Sequence, residues 1–363
     1  MKRFICALSL LAVASPWACA QSSSSVTIYG IIDTAVERVS GIGPTRDSIV
    51  RMPSLTGTFP SRLGFRGSED LGDGLRAAFT LEQGFAPDQG TLNQGGRMFG
   101  RQAFVGLGGQ WGTISLGRQY TMLYMSVLDA DILGPNLYGS GSLDGYIANA
   151  RADNSLAYRG TFGGLTVGTT FSLGRDVVAA PAGANCPGEN AADRASCREV
   201  SAMLKYDTPS WGVGAAVDEL RGSAGAAGGL VASSLKDRRS MLNGYVKFSE
   251  LKLGAGLLHR TNDGSATTPK SDLWWLGAAY AVAPTFVLDG ALFRLKFDNS
   301  SNKATLAAVR GTYSLSRRTA VYAMAGHISN DGALALSVSS VPGTAPVAGA
   351  SQTGLAMGVR HSF

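Results

Sequence analysis

Arginines standing on the polar side of alternating strands are the residues of this sequence best equipped to act on a solute. In Leu75–Phe85, Leu75, Ala77, Phe79 and Leu81 share one face, and Arg76, Ala78, Thr80 and Glu82 share the other. Arg66 falls on a polar face by the same alternation. A guanidinium keeps its charge at all working pH values and offers several donors to carboxylate or phosphate. Several of them on one wetted surface attract anions without breaking any bond. Covalent chemistry finds less support. The imidazoles are His259, His327 and His361, with no Ser-His-acid or Asp-His spacing, and His361 falls on an apolar face. No His/Cys/acid group has metal-ligand spacing, and the Gly-x-Gly pairs lie in alternating strands with no helix following, unlike a nucleotide loop. The sequence therefore predicts neither an enzyme nor a cofactor, metal or nucleic-acid site.

The elements that carry these charges are strands throughout. With 48 Gly, 13 Pro, 16% charged and 45% hydrophobic residues, the chain is too glycine-rich for a helical protein and too poor in charge for a disordered one. A mean hydropathy of +0.08 suits strands with one apolar and one polar face. The last such strand runs Leu355, Met357, Val359, His361 and Phe363 against Gly354, Gly358, Arg360 and Ser362. The apolar stretch Leu273–Leu288 is broken by Ala283-Pro284 and followed by Asp289, so it reads as two strands and a turn.

Connections separate into two kinds. Short ones occur at Glu69–Gly74, Gly108–Gly112, Arg159–Gly164, Asp207–Gly212, Phe248–Leu251, Val282–Thr285 and Tyr313–Arg318. Long ones, rich in Gly, Ser, Asn and Asp, span Arg38–Pro60, Gln119–Arg151, Gly174–Glu199, Arg221–Arg239, Arg260–Asp272 and Ser329–Gln352. A soluble sandwich has no reason for that asymmetry, whereas a membrane barrel has tight turns on one side and long loops on the other. The expected fold is all-β, a closed transmembrane antiparallel barrel, and seven short turns imply sixteen strands. Trp111, Phe162, Trp211 and Phe286, just beyond short turns, stand where an interfacial aromatic girdle belongs.

Met1-Lys2-Arg3, the apolar Phe4–Val13 and Ala18-Cys19-Ala20 read as a secretory leader cut before Gln21, leaving residues 21–363 as one barrel domain. Pro16 ends an apolar stretch too short for a membrane anchor, and Pro16 and Trp17 speak against a lipidated Cys19. Loss of Lys2 and Arg3 lowers the formal charge from +6 to +4. Cys186 and Cys197 then remain in a polar segment; a loop-closing disulfide is expected, with two separate thiols as the open alternative.

Specific segments carry a resemblance. Ser25-Val26-Thr27-Ile28-Tyr29-Gly30-Ile31-Ile32-Asp33 resembles the opening strand of general porins of the β-proteobacterial and neisserial type. Ser61-Arg62-Leu63-Gly64-Phe65-Arg66-Gly67-Ser68-Glu69-Asp70-Leu71-Gly72 resembles their second strand and first turn. Gly112-Thr113-Ile114-Ser115-Leu116-Gly117-Arg118-Gln119, Asn154-Ser155-Leu156-Ala157-Tyr158 and Val359-Arg360-His361-Ser362-Phe363 continue the series along the chain.

The resemblance implies an outer-membrane homotrimer of sixteen-stranded barrels, passing small hydrophilic solutes and anions, whose third outer loop folds into the lumen. Gln119–Ala150 is the candidate loop, and a connection of that length without a clear strand is usually functional. By motif correspondence Arg62, Arg101 and Arg151 match the family's constriction arginines, with Arg118, Arg66 and Arg76 as weaker candidates. Arg118 shares parity with the apolar Ile114 and Leu116. Asp129 and Asp131 are the expected loop acids opposite these arginines, with Glu82 facing them from the wall, although the loop departs from the Pro-Glu-Phe-Gly-Gly motif of enteric porins. Phe363 resembles the family's signal to the outer-membrane assembly machinery, and lipid and lipopolysaccharide are the expected surroundings. The alternative is a channel selective for a sugar, phosphate or organic acid.

Overall fold

The computed structural model describes residues 25–53, 58–174, 186, 188–226 and 228–363. The leader expected over residues 1–20 lies outside them. Sixteen barrel strands follow one another: β1 Ser25–Ile42, β2 Arg62–Gly72, β3 Leu75–Ala86, β4 Gln102–Gly109, β5 Gly112–Tyr120, β6 Arg151–Phe162, β7 Leu165–Ser172 and β8 Glu199–Asp207 form the first half. The second half is β9 Trp211–Arg221, β10 Lys236–Phe248, β11 Leu251–Asn262, β12 Lys270–Ala283, β13 Phe286–Phe297, β14 Lys303–Ser314, β15 Thr319–Asp331 and β16 Gln352–Ser362. Each pairs antiparallel with its neighbours. The ring closes because β1 pairs with β16 from Ile31↔Ser362 to Val39↔Gly354 and with β2 from Ser25↔Ser68 to Ile31↔Arg62. Phe363 extends the closure, its amide and carbonyl each 3.1 Å from Gly30.

The burial pattern is inverted relative to a water-soluble sheet. On β1, Val26, Ile28, Ile32 and Val36 are exposed, whereas Asp33 and Glu37 are fully buried. Apolar side chains thus point outward and polar ones inward, as hydrocarbon outside and water inside require, and closure leaves no unpaired edge in lipid. Trp111, Phe162 and Trp211 are exposed beside short turns. The stretch Leu273–Leu288 resolves into β12 and β13, turning between Ala283 and Phe286.

Every expected short turn joins two strands, but the long connections differ from expectation. β1 continues through Arg38 to Ile42 and pairs back with a short strand, Asp47–Arg51. β10 begins at Lys236, β11 extends to Asn262 and β12 starts at Lys270, so those loops are shorter than their polar composition suggests. Ladder hydrogen bonds need no apolar face, and strands continue past the lipid band with polar residues on both sides. Two further connections, 87–101 and 298–302, separate β3 from β4 and β13 from β14. In the connection after β7, the sulfurs of Cys186 and Cys197 are bonded, with Cα atoms 5.5 Å apart.

The apolar core lies inside the ring, between the 121–150 connection and the wall from β10 to β16. Leu123, Val127, Leu137 and Ile147 of the connection are fully buried in one cluster with Leu258, Trp275, Phe293 and Ile328 of the wall. Burying each such side chain contributes about 1.5–3 kcal/mol, which makes this connection a fixed plug rather than a loose flap. Its first helix, α1 (Met122–Val127), has no cap from Thr121; the wall supplies one, as Ser201 Oγ accepts from the amides of Met122 (3.0 Å) and Leu123 (3.2 Å). The second, α2 (Gly145–Asn149), is capped by Asp144, which accepts from the Tyr146 amide. Close approach dictates glycine on the wall: a Cβ at Gly254 would collide with the Ala130 carbonyl oxygen, and one at Gly354 with the Tyr138 ring.

Candidate functional site

The inner face of β2 to β6 gathers what the sequence singled out most strongly. Arg62 opens β2, Arg101 immediately precedes β4, Tyr120 ends β5 and Arg151 opens β6, so these four strands, with β3 between the first two, bring the side chains together. Glu82 of β3 lies among them. Its Oε1 accepts from Arg101 Nε at 2.7 Å and its Oε2 from the Tyr29 hydroxyl at 3.0 Å, with Arg62 Nε at 3.7 Å. Arg101 and Glu82 are only 1% and 4% exposed. A charge so buried is tolerable when paired and hydrogen-bonded, and here one carboxylate serves two guanidinium groups.

Arg151 extends the cluster through an aromatic. Its guanidinium carbon lies 4.7 Å from the Tyr120 ring centroid and that of Arg101 5.9 Å, and the Tyr120 hydroxyl accepts from both arginines. Tyr120 stacks on Tyr124 of α1 with centroids 4.1 Å apart and planes 8° off parallel. Arg151 Nε is buried and finds no acceptor in the protein. Arg101 and Arg151 open onto a cavity of about 390 Å³ whose opposite side is uncharged, formed by Pro135, Asn136, Ala148 and Asn149 of the plug. Three guanidinium groups against one carboxylate leave a local excess of positive charge beside this cavity.

The weaker candidates lie elsewhere. Arg66 is exposed on the same inner face below Arg62, over the Tyr29 ring at 5.3 Å. Arg76 is exposed next to the first short turn, opposite Asp70 and Gly108. Arg118 sits at an irregularity between Gly117 and Gln119, which explains its anomalous parity. It is ion-paired with Asp153, which also accepts from Arg97 at 2.8 Å, and its Nε donates to the Gly100 carbonyl.

Neither loop acid faces the arginines. Asp129 is ion-paired with Lys205 of β8 on another part of the wall. Asp131 is buried within the plug, accepting from Ser140 Oγ at 2.6 Å and the Gly134 amide at 3.1 Å. Burial pushes its carboxyl up to about 6 against those hydrogen bonds. The expected opposition of loop acids to wall arginines is therefore replaced by an acid on the arginine wall itself, Glu82. Tyr120 and Tyr124 carry no sequence signal of their stacking, since Tyr120 ends a strand and Tyr124 lies in the helix that follows.

The plug is held by its own charges on the far wall. Arg239 of β10 lies between Asp144 (2.8 Å) and Asp237 (3.0 Å), and Arg260 of β11 also binds Asp237 at 2.8 Å. Burial favours the neutral form of Asp144, but Arg239 and then Arg260 outweigh it and hold the carboxyl at about 2.

Comparison with known proteins bears on this arrangement. A family model described as Gram-negative porin matches residues 7–333. The chain is 29% identical over 406 aligned positions to an outer membrane porin protein of Bordetella pertussis, and 30% identical over 394 to outer membrane porin protein 32 of Delftia acidovorans. Both alignments cover 100% of each chain. The solved anion-selective porin from Comamonas acidovorans superposes with a TM-score of 0.76 at 26% identity, covering 94% of this chain and 100% of that one.

Proposed function

The chain belongs to the Gram-negative porin family and forms an outer-membrane β-barrel channel, and on that premise we propose a passive, anion-preferring diffusion pore selected by Arg62, Arg101 and Arg151. The observation that carries this reading is the imbalance of three guanidinium groups against Glu82, beside a cavity whose facing plug residues are uncharged. The plug narrows the lumen, and the arginine wall then lies where a solute has shed most of its surrounding water. Anions are drawn in by the field and released because no closed binding site surrounds them. Arg66 and Arg76 extend the positive track toward the short-turn end, while Arg118, tied to Asp153, contributes to the wall rather than to the track. Nothing in this scheme breaks a bond.

The proposal extends to the surroundings of the barrel. Residues 1–20 are removed on export, three copies assemble, the outward apolar face meets lipid and lipopolysaccharide, and Phe363 presents the assembly signal. The test is a reversal potential across a planar bilayer under a salt gradient, for wild type and for Arg62→Ser, Arg101→Ser and Arg151→Ser. The expected result is an anion-signed potential in the wild type that shrinks in each variant. A cation-signed wild type would refute the selectivity, and absence of conductance would refute the pore.

A further inference from the structure

We propose that the short-turn mouth of the lumen contains a second anion site, built on Lys247 and Lys252, that takes small divalent oxyanions of the hydrogen-phosphate class. This rests on the channel reading above but involves none of the arginines that carry it. Lys247 is the penultimate residue of β10 and Lys252 the second of β11, and the two are direct cross-strand partners. Alternation places both on the inner face with Tyr245, since Leu242 and Phe248 of β10 and Leu257 of β11, of the opposite parity, are exposed on the outward face. Arg101 stands eight residues from its turn end, so the two sites are separated by about seven residues, roughly 20 Å along a strand.

Like charges directly opposite each other destabilise a hairpin, and here Asp129 and Asp207 relieve the repulsion only from a distance, without an ion pair to either lysine. Among the described residues no acid lies within 4 Å of either ammonium. The acids nearby are engaged: Lys205 is ion-paired with Asp129 and lies 3.2 Å from Asp207, and Asp207 also accepts from the Tyr245 hydroxyl at 3.0 Å. Glu250, in the exposed turn between the two strands, is bonded to Ser249 Oγ. What the lysines share is the Tyr245 ring, with Nζ of Lys247 5.2 Å and Nζ of Lys252 4.8 Å from its centroid. Three ammonium groups therefore face two carboxylates, both of which are held by Lys205 or Tyr245. Burial favours the neutral form of Asp129, yet hydrogen bonding and charge from Lys205, then Lys252 and Lys247, hold its carboxyl low. That places the field of the pair inside the lumen, where the plug is. A dianion bridging the two ammonium groups removes their repulsion, which a single chloride does only in part.

The experiment titrates inorganic phosphate at pH 8 into bilayers holding the full-length channel, with chloride as the current carrier, and reads the half-blocking concentration. The double variant K247Q/K252Q is expected to raise that concentration about fivefold or more, while its chloride reversal potential keeps its sign. K247R/K252R, which preserves both charges, is expected to retain the block and so separates loss of charge from damage to the hairpin. R151S is expected to show a reduced chloride preference and keep phosphate block. A K247Q/K252Q titration that superimposes on the wild type, or a K247R/K252R channel that conducts yet loses the block, overturns the site. A wild type without chloride preference contradicts the arginine reading instead, so the two failures are told apart.

Discussion

The wall from β2 to β6 and the wall from β8 to β15 both carry arginines into the lumen, yet they use them differently. On the first, Arg62 and Arg101 share Glu82, while Arg151 rests on Tyr120 and keeps a donor that no protein atom accepts. On the second, Arg239 and Arg260 meet Asp144 and Asp237, and Arg310 binds Asp289 at 2.6 Å, so charge is matched one for one. Arg239 among the matched groups grips the plug through Asp144, the other pairs tie wall strand to wall strand, and the unmatched groups are left for solutes. Position inside a barrel thus does not assign a role to an arginine; the number of carboxylates within reach does.

The comparison breaks most visibly at Arg239. Replacing it with methionine leaves Asp144 and Asp237 buried with Arg260 as their remaining partner, an expected loss of about 3–5 kcal/mol. Thermal denaturation of the folded barrel, read by its electrophoretic mobility, should shift downward, and the open-channel current should become noisier as the plug loosens. Unchanged stability would mean that these ions do not anchor it.

A smaller effect sharpens the comparison within the plug. The Asp131 carboxyl is raised by burial to about 6, so the folded state favours its protonated form. Stability from this group is fully present below the ordinary aspartate range near 3.8 and is lost as pH rises through about 6. Asp131→Asn should therefore stabilise the barrel at pH 8, by at most about 3 kcal/mol, and leave it unchanged at pH 4. Equal effects at both pH values would show that Asp131 is not buried as an acid.

Much of the fold was legible because two local signals coincide along the chain. Gly72-Asp73-Gly74 and Gly163-Gly164 mark turns through positive φ, and alternation on either side fixes which face meets lipid. Strand ends beyond the lipid band were not legible: in Arg38–Ile42 or at Lys236 no hydrophobic alternation remains, and only the partner strand shows that the ladder continues. The arginine wall was readable through motifs around Arg62, Arg101 and Arg151. The acids were not, because the partners of Asp129 and Asp131 are set by tertiary packing: Lys205 lies on a strand distant in sequence, and Ser140 is reached only when the plug folds on itself. The Tyr120 to Tyr124 stack depends likewise on α1 being capped by Ser201 from β8.

The central claim is that uncompensated guanidinium charge on the β2 to β6 wall sets selectivity, and its most direct test changes the balance in both directions. Reversal potentials in one salt gradient would be compared for wild type, Arg151→Ser and Glu82→Gln. The account predicts an anion preference that falls in Arg151→Ser and rises in Glu82→Gln. Equal potentials in all three channels, or shifts of the opposite sign, would contradict it.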